Sequence, residues 1–516
     1  MTSIAASVLA VAIPVTLAVS AQPGAPASTP AGTTASTPAG TTASTLAATP
    51  ASALPKALSD QDFIHDAAAP PAQVELGRML FFDKILSGNR NISCATCHHP
   101  ENATADAVAL SLGEGAEGRG RDRKAHGAPV LGRVPRNAPA LFNLGAREVE
   151  TMFHDGRAQR ITAPDGTITL KTPAGDQLPR GLDGILAAQA LFPILSATEM
   201  AGHPGENPIA DAAIVERFAG PGGAWDQIAR RLAAIPAYVA MFRAAYPGTV
   251  ATGADIHITH VANAIGAFEA QAFRATGSPF DAYLAQGEAA PLPAPARRGM
   301  ELFYGKADCA TCHAGPLQTD YGFHAIAMPQ LGPGKDDGAD TGYAEQTGFA
   351  HHVEDFGRYR VTEQEEDRYR FRTPSLRNVA LTGPWGHAGA YDSLEAAIRH
   401  HLDPVSALEA FDAARVTLPP MSRVYDYAET GDGVPTDFTP VDGTRIEAYN
   451  SRDFWAMGDP TMRHALAAAN ELAPKDLTDR EIADLVAFLA TLTDPASRDM
   501  DGIEPDAVPS GLPLAD

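Results

Sequence analysis

Charge is missing from the start of this chain. In its 516 residues the first Asp, Glu, Lys or Arg is Lys56. Cations are short throughout, with 39 Lys and Arg against 62 Asp and Glu and a net charge of −23. That deficit argues against a nucleic-acid binder, which needs clustered Lys and Arg, and against adhesion to anionic membranes. No three-residue glycine period exists, which excludes collagen, and 45% hydrophobic residues exclude wholesale disorder. Long apolar runs are also absent: Ile4 to Val19, interrupted by Pro14, falls short of the roughly 20 residues of a membrane span. Cysteine is scarce, at four. What is plentiful is Gly (46) and Pro (42), the composition of a loop-rich protein.

Residues 1–21 read as a signal peptide, an apolar run followed by the small residues Val19-Ser20-Ala21. Its n-region has no Lys or Arg, so an uncleaved anchor and a misplaced start codon are the competing readings. Residues 22–55 repeat STPAGTTA at 28–35 and 36–43. Without large apolar groups this stretch cannot offset chain entropy by burial, so it reads as a disordered tether.

All four cysteines fall in two identical patterns, Cys94-Ala95-Thr96-Cys97-His98 and Cys309-Ala310-Thr311-Cys312-His313. Two thiols three positions apart on a helical turn reach both vinyl groups of one haem, and the following imidazole binds its iron. A disulfide would need no histidine afterwards, and a zinc site would have to bring the distant pairs together. Two covalent c-type haems, held by Cys94, Cys97 and His98 and by Cys309, Cys312 and His313, account for every cysteine. Such attachment occurs outside the cytoplasm, which agrees with export.

Each pattern sits in the same frame. VELGRMLFFDKILSGNRNIS precedes the first and ARRGMELFYGKAD the second, with apolar positions (Leu76, Met79, Leu80; Met300, Leu302, Phe303) at helical spacing. These are core positions of a helix that carries a haem. A closing amphipathic helix is expected in DLTDREIADLVAFLATLTDP through Ile482, Leu485, Val486 and Leu489. The expected fold is mainly α, with two tandem cytochrome-c-like haem domains and long loops. The expected boundaries are 56–290 for the first domain, 291–497 for the second and 498–516 for a loose acidic tail.

From about Val74 to Asp494 the sequence resembles the bacterial dihaem cytochrome c peroxidases and their MauG-type relatives. The resemblance is carried by PRNAPALFN at 135–143, FHDGR at 153–157, QALFPILSATEM at 189–200, FRTPSLRNVALTGPWGHAG at 371–389 and LEAAIRHHLDP at 394–404. It implies that the N-terminal haem reacts with peroxide and the C-terminal haem relays electrons to it. Peroxide cleavage needs a group that moves a proton between the two oxygens and benefits from a fixed hydrogen-bond donor. The resemblance assigns these roles to Glu199 and Gln189, and their apolar flanks argue against plain surface residues.

It also implies iron ligands. His98 and His313 are proximal. His126, in a Gly-rich stretch, matches a removable distal ligand of the first haem; the alternative is an exposed loop histidine and a permanently open site. On the second haem the family places Met or Tyr, whereas this sequence offers His401, with His400, Met421 and Met328 as alternatives. Imidazole in place of thioether lowers the potential expected of that haem. A second departure is His154, where the family carries a bridging Trp; direct tunnelling or Trp385 would have to serve. Asp155 and Arg157 are expected to pair with each other. A calcium ion between the domains is implied at Asn137, Thr382 and Pro384, an oxygen-only set.

The expected activity is that of a periplasmic peroxidase reducing hydrogen peroxide to water. Its electrons would come from a small, basic redox protein, a cytochrome c or a cupredoxin. The competing readings are a MauG-like oxidase of a partner protein and a dihaem electron carrier with no open site; the Gln189 and Glu199 pair favours an enzyme. An uncleaved signal would leave the protein tethered to the membrane, and the family includes monomers and homodimers. The polar insertion at 330–370 has no assigned role.

Overall fold

The two sequence frames build the same object twice. In the computed structural model, which describes residues 54–64, 69–125, 130, 132–334, 353–421, 425–429, 435–440 and 451–515, each CATCH follows a helix crossed by a second helix at a glycine. Helix α1 (Pro71–Phe82) leads to the single turn α2 (Cys94–Cys97). Between α2 and the second frame come α3 (Ile185–Gln189), α4 (Pro208–Ile214), α5 (Ala224–Ala233), α6 (Pro236–Ala245), α7 (Ile258–Ala272) and α8 (Pro279–Gln286). Helix α9 (Ala294–Phe303) then precedes the turn Cys309–Thr311. The chain continues through α10 (Leu394–Leu402), α11 (Pro404–Glu409), α12 (Pro460–Ala469) and α13 (Asp479–Ala490).

Helix α1 packs on α7, and α9 packs on α13. A Cβ on Gly77 would sit 1.9 Å from the Ala264 carbonyl, and one on Gly299 would sit 1.9 Å from the Asp484 carbonyl. Only glycine lets the helix axes approach so closely. The expected closing helix is α13: Thr478 caps it by accepting from the Glu481 amide, and Ile482, Leu485 and Leu489 are buried while Val486 is partly exposed. Around α1 and α7 lies a large aromatic core (Phe81, Phe82, Phe268, Phe273, Trp225); around α9 and α13 lies a smaller one (Phe280, Phe303, Phe488).

Strands are few and short. Residues Ala116–Glu117 (β1) pair antiparallel with Lys124–Ala125 (β2), and Thr151–Met152 (β3), Ala158–Thr162 (β4) and Ile168–Lys171 (β5) form a three-stranded meander. Phe323–His324 (β6) pairs with Phe371–Arg372 (β7), and Tyr425–Glu429 (β8) with Pro435–Pro440 (β9). The protein is thus mainly helical, as expected.

One expectation is overturned. The segment after Arg498 is no loose tail but a strap packed back on the first half. Met500, Ile503, Leu512 and Leu514 pack against the first core, and Val508 is buried. Ser510 donates to Asp83 at 2.7 Å, Lys84 donates to the Ala515 carbonyl at 3.0 Å, and Arg119 pairs with Glu504 at 2.7 Å. Spaced apolar residues outweigh the acidic composition because the first core leaves a flank for them to cover. The signal peptide, nearly all of the tether and His126 lie outside the described residues.

Candidate active site

The two attachment turns present equivalent donors. Ser93 opens the first turn, with its amide donating to the Thr96 hydroxyl at 3.0 Å. The four thiols form no disulfide, and burial pushes Cys94, Cys97 and Cys309 up to about 12. His98 donates from Nδ1 to the Thr104 carbonyl at 2.9 Å, and His313 from Nδ1 to the Gln318 carbonyl at 3.0 Å. Burial pulls both imidazoles below the usual histidine range, His313 to about 4. Each is therefore a neutral ring whose Nδ1–H is tied to backbone, leaving Nε2 as the metal donor. Paired thiols followed by an oriented imidazole fit a c-type haem at both turns.

The surroundings of the two turns differ. On the first side Glu199 sits in a wide single turn, Ala197–Ala201, whose Glu199, Met200 and Ala201 amides converge on the Ser196 carbonyl. Two glycines hold this turn from outside. A Cβ on Gly113 would lie 2.1 Å from the Thr198 carbonyl, and one on Gly88 1.9 Å from the Ala201 carbonyl. The Arg123 guanidinium braces the Gly113 loop by donating to the Leu112, Gly113 and Gly118 carbonyls. Glu199 is half-buried, and its charge acts on both Cys97 and Arg157, so it faces the space beside the first attachment turn. Gln189 ends α3, half-buried, and does not hydrogen-bond Glu199. The Arg157 guanidinium lies 3.6 Å from the Phe153 ring centroid, and Phe153 meets Phe192 edge-on at 6.1 Å.

On the second side a histidine stands opposite. The rings of His313 and His401 have centroids 6.5 Å apart. With a metal–nitrogen distance of about 2.0 Å, two imidazoles across one ion would have centroids roughly 6.3 Å apart, a spacing that this pair matches. His401 ties Nδ1 to the Ala397 carbonyl at 2.7 Å, again leaving Nε2. The alternatives fit less well. His400 uses both nitrogens, on the Tyr391 hydroxyl and the Ile326 carbonyl, each at 2.8 Å. Met421 packs with Leu112, Ala116 and Val353, and Met328 lies against Gly386.

Between the sides lies a locked junction that sequence reading reached only in part. Asp155 and Arg157 pair as expected at 3.0 Å, but the centre of the network is the buried Arg136, 2.7 Å from both Asp155 and Asp355. Asp355 comes from the polar insertion, and Gln330 holds its backbone on both sides at 2.7 and 3.0 Å. Although burial alone would raise them, the Arg136 charge holds both carboxylates well below the usual range. Arg358 donates to the Asp155 and Gly156 carbonyls, and the Arg372 amide to the His154 carbonyl. His154 bonds the Asn137 carbonyl at 3.2 Å and is pushed to about 3 by burial first, then by Arg136. His387, also unremarked in the sequence, stacks on Phe371 at 3.8 Å with both ring nitrogens buried and without protein partners.

Asn137 is placed against the turn that carries Thr382 and Pro384, its amide donating to the His387 carbonyl at 2.9 Å. Its side-chain nitrogen donates to the Val108 and Ala109 carbonyls, which leaves Oδ1 as an acceptor, and no hydrogen bond joins it to Thr382 or Pro384.

Comparison with known proteins adds the family context. Residues 71–289 match the family model described as di-haem cytochrome c peroxidase. The chain is 30% identical over 341 residues to the methylamine utilization protein MauG of Methylorubrum extorquens, spanning 66% of this chain and 71% of that protein. It is 29% identical to the cytochrome c551 peroxidase of Pseudomonas aeruginosa over 362 residues, 66% of this chain and 80% of that one. Among solved structures, a MauG-like protein associated with microbial copper homeostasis shares the fold with a TM-score of 0.51 and 23% identity, over 88% of this chain and 97% of that one.

Proposed function

The chain belongs to the di-haem cytochrome c peroxidase family, an oxidoreductase family with two c-type haems, and from that premise we propose that it is an exported hydrogen peroxide reductase with one reacting and one relaying haem. The two halves are read as tandem cytochrome-c-like domains. The observation that carries this is the difference between the surroundings of the two attachment turns: a carboxylate, Glu199, whose charge acts on Cys97 at the first, and a second imidazole, His401, 6.5 Å from His313 at the other.

A haem held by Cys94, Cys97 and His98 would supply the redox-active iron for peroxide reduction. Glu199 accepts the proton of the inner peroxide oxygen and delivers it to the outer oxygen, which leaves as water. Gln189 donates a hydrogen bond that orients the oxygens. Gly113 and Gly88 keep the Glu199 turn in place, so its carboxylate is aimed before substrate arrives. On the second side His401 would hold the iron together with His313 and so leave that site to electron transfer alone. An acidic protein of net charge −23 suits a small basic cytochrome or cupredoxin as donor. Asn137, Thr382 and Pro384 are proposed to hold a calcium ion across the junction.

The test is steady-state turnover of hydrogen peroxide with a reduced small cytochrome, expected in the wild type and suppressed in Glu199→Gln. Peroxide reactivity without cytochrome turnover would favour the MauG-like reading, an oxidase of a partner protein, which the MauG relative keeps in view.

A further inference from the structure

Besides Glu199 and Asp106, whose charges act on Cys97, a further acidic side chain lies beside the first attachment turn. Glu269 is on α7, 5% exposed, and its Oε2 has no hydrogen-bond partner. Its charge acts on Cys94, the first attachment thiol, which packs on the same core as its neighbour Phe268. A buried carboxyl with no donor is unusual, because an unpaired buried carboxylate costs several kcal/mol and so holds a proton more readily than an exposed one. Burial alone pushes Glu269 up to about 8.

Among the described residues, no side chain supplies a countercharge. Helices α1, α3 and α5 pack on α7. On α1, Arg78 pairs with Glu75 at 2.9 Å; α3 carries no charged residue. On α5, Arg230 pairs with Asp226 and Arg231 donates to the Ile85 and Ser87 carbonyls. Beyond the end of α7, Arg274 pairs with Asp60. The Cys94 thiol becomes a neutral thioether once haem is attached. A haem held through Cys94 would then be a group near Glu269 whose charge changes during turnover.

We propose that Glu269 is the redox-linked proton site of the first haem. It takes one proton from solvent as one electron from the donor enters that site, and releases it as the electron leaves. The carboxylate gains an O–H bond, and the added negative charge is matched by the proton, so the buried site keeps its net charge. In a low-dielectric interior an electron and an unpaired carboxylate repel strongly, which couples the two events. Glu269 acts through the haem's potential and does not touch peroxide, so it is distinct from Glu199. The inference rests on the reading that Cys94, Cys97 and His98 hold a haem.

The experiment is a spectroelectrochemical titration of the dihaem holoprotein between about pH 6 and 10. In the wild type the first-haem reduction equilibrium should weaken by up to tenfold per pH unit across a window near pH 8, while the second haem moves less. In Glu269→Gln, which mimics the protonated form, that equilibrium should change less than twofold per unit and match the wild type at low pH. Redox-difference infrared spectra of the wild type should show a carboxylic acid C=O band that grows on reduction; this readout requires no variant. A pH-independent first haem in the wild type, an unchanged slope in Glu269→Gln, or no such band would each overturn the proposal. A purified chain with haem only at Cys309 and Cys312 would instead overturn the two-haem reading.

Discussion

Two copies of Cys-Ala-Thr-Cys-His, each behind a helix pair crossed at a glycine, are put to different ends by what the chain places across from the histidine. Behind the first stands a thick core of Phe81, Phe82, Phe268 and Phe273 and a glycine-held turn with a carboxylate; behind the second stands a thin core and an imidazole 6.5 Å from its partner. The attachment motif states that a haem is held. The opposite face decides whether anything else can reach it. On the proposed reading, chemistry is set by residues far from the motif, Glu199 about a hundred positions on and His401 about ninety.

Several substitutions would break or sharpen this contrast. The largest effect is expected at Glu199→Gln, which should lower peroxide turnover about 10²–10⁴-fold with both haems retained, measured as single-turnover rates beside the optical spectrum. A loss of only a few-fold would mean that the first face is no more specialised than the second. Arg136→Met comes next. It leaves Asp155 and Asp355 buried without their cation and should cost about 3–5 kcal/mol in denaturant titrations. The same pair sets an acid limit. Because their folded values lie below the unfolded ones, the stability they give is present above about pH 4 and lost as pH falls further. Arg136→Met should flatten that acid slope.

At the second site His401→Met should raise the haem's reduction potential, because thioether ligation favours the reduced iron, whereas His400→Ala should leave the low-spin spectrum unchanged. The reverse result would exchange the roles of the two histidines. The smallest effect is expected at Ser510→Ala. It removes one hydrogen bond to Asp83, should cost about 1 kcal/mol, and should loosen the first half only, seen as faster amide exchange around α1.

Much of this was legible beforehand. The CATCH pairs, the apolar faces of α1 and α9 and the capping box of α13 depend on residues within one turn of each other, so local pattern carries them. His401 was separable from His400 only in space, where Tyr391 and the Ile326 carbonyl occupy the latter. The turn that aims Glu199 depends on Gly113 and Gly88, and the Arg136 network on Asp355 from a stretch with no readable period; such contacts leave no local trace. Glu269 sits amid an alanine-rich helix, where one carboxyl looks like a solvated face until the fold is seen to bury it. The C-terminal strap misled because its Pro-rich, acidic composition is that of a tail, while its scattered Ile, Val and Leu are what the first core receives.

That strap bears on how the molecule is made. The half whose cysteines are synthesised first is covered by residues about four hundred positions later in the chain, Met500 through Leu514. Until they arrive, the flank beside Ser93, Ala95 and Thr96, where Leu514 comes to rest, stays uncovered. Thioether formation needs a reactive thiol, and burial pushes Cys94 and Cys97 up to about 12, which suppresses the thiolate at neutral pH. The attachment turn is therefore open on this flank until residues 500–514 pack, which sets an order in which its cysteines are reached first and covered afterwards.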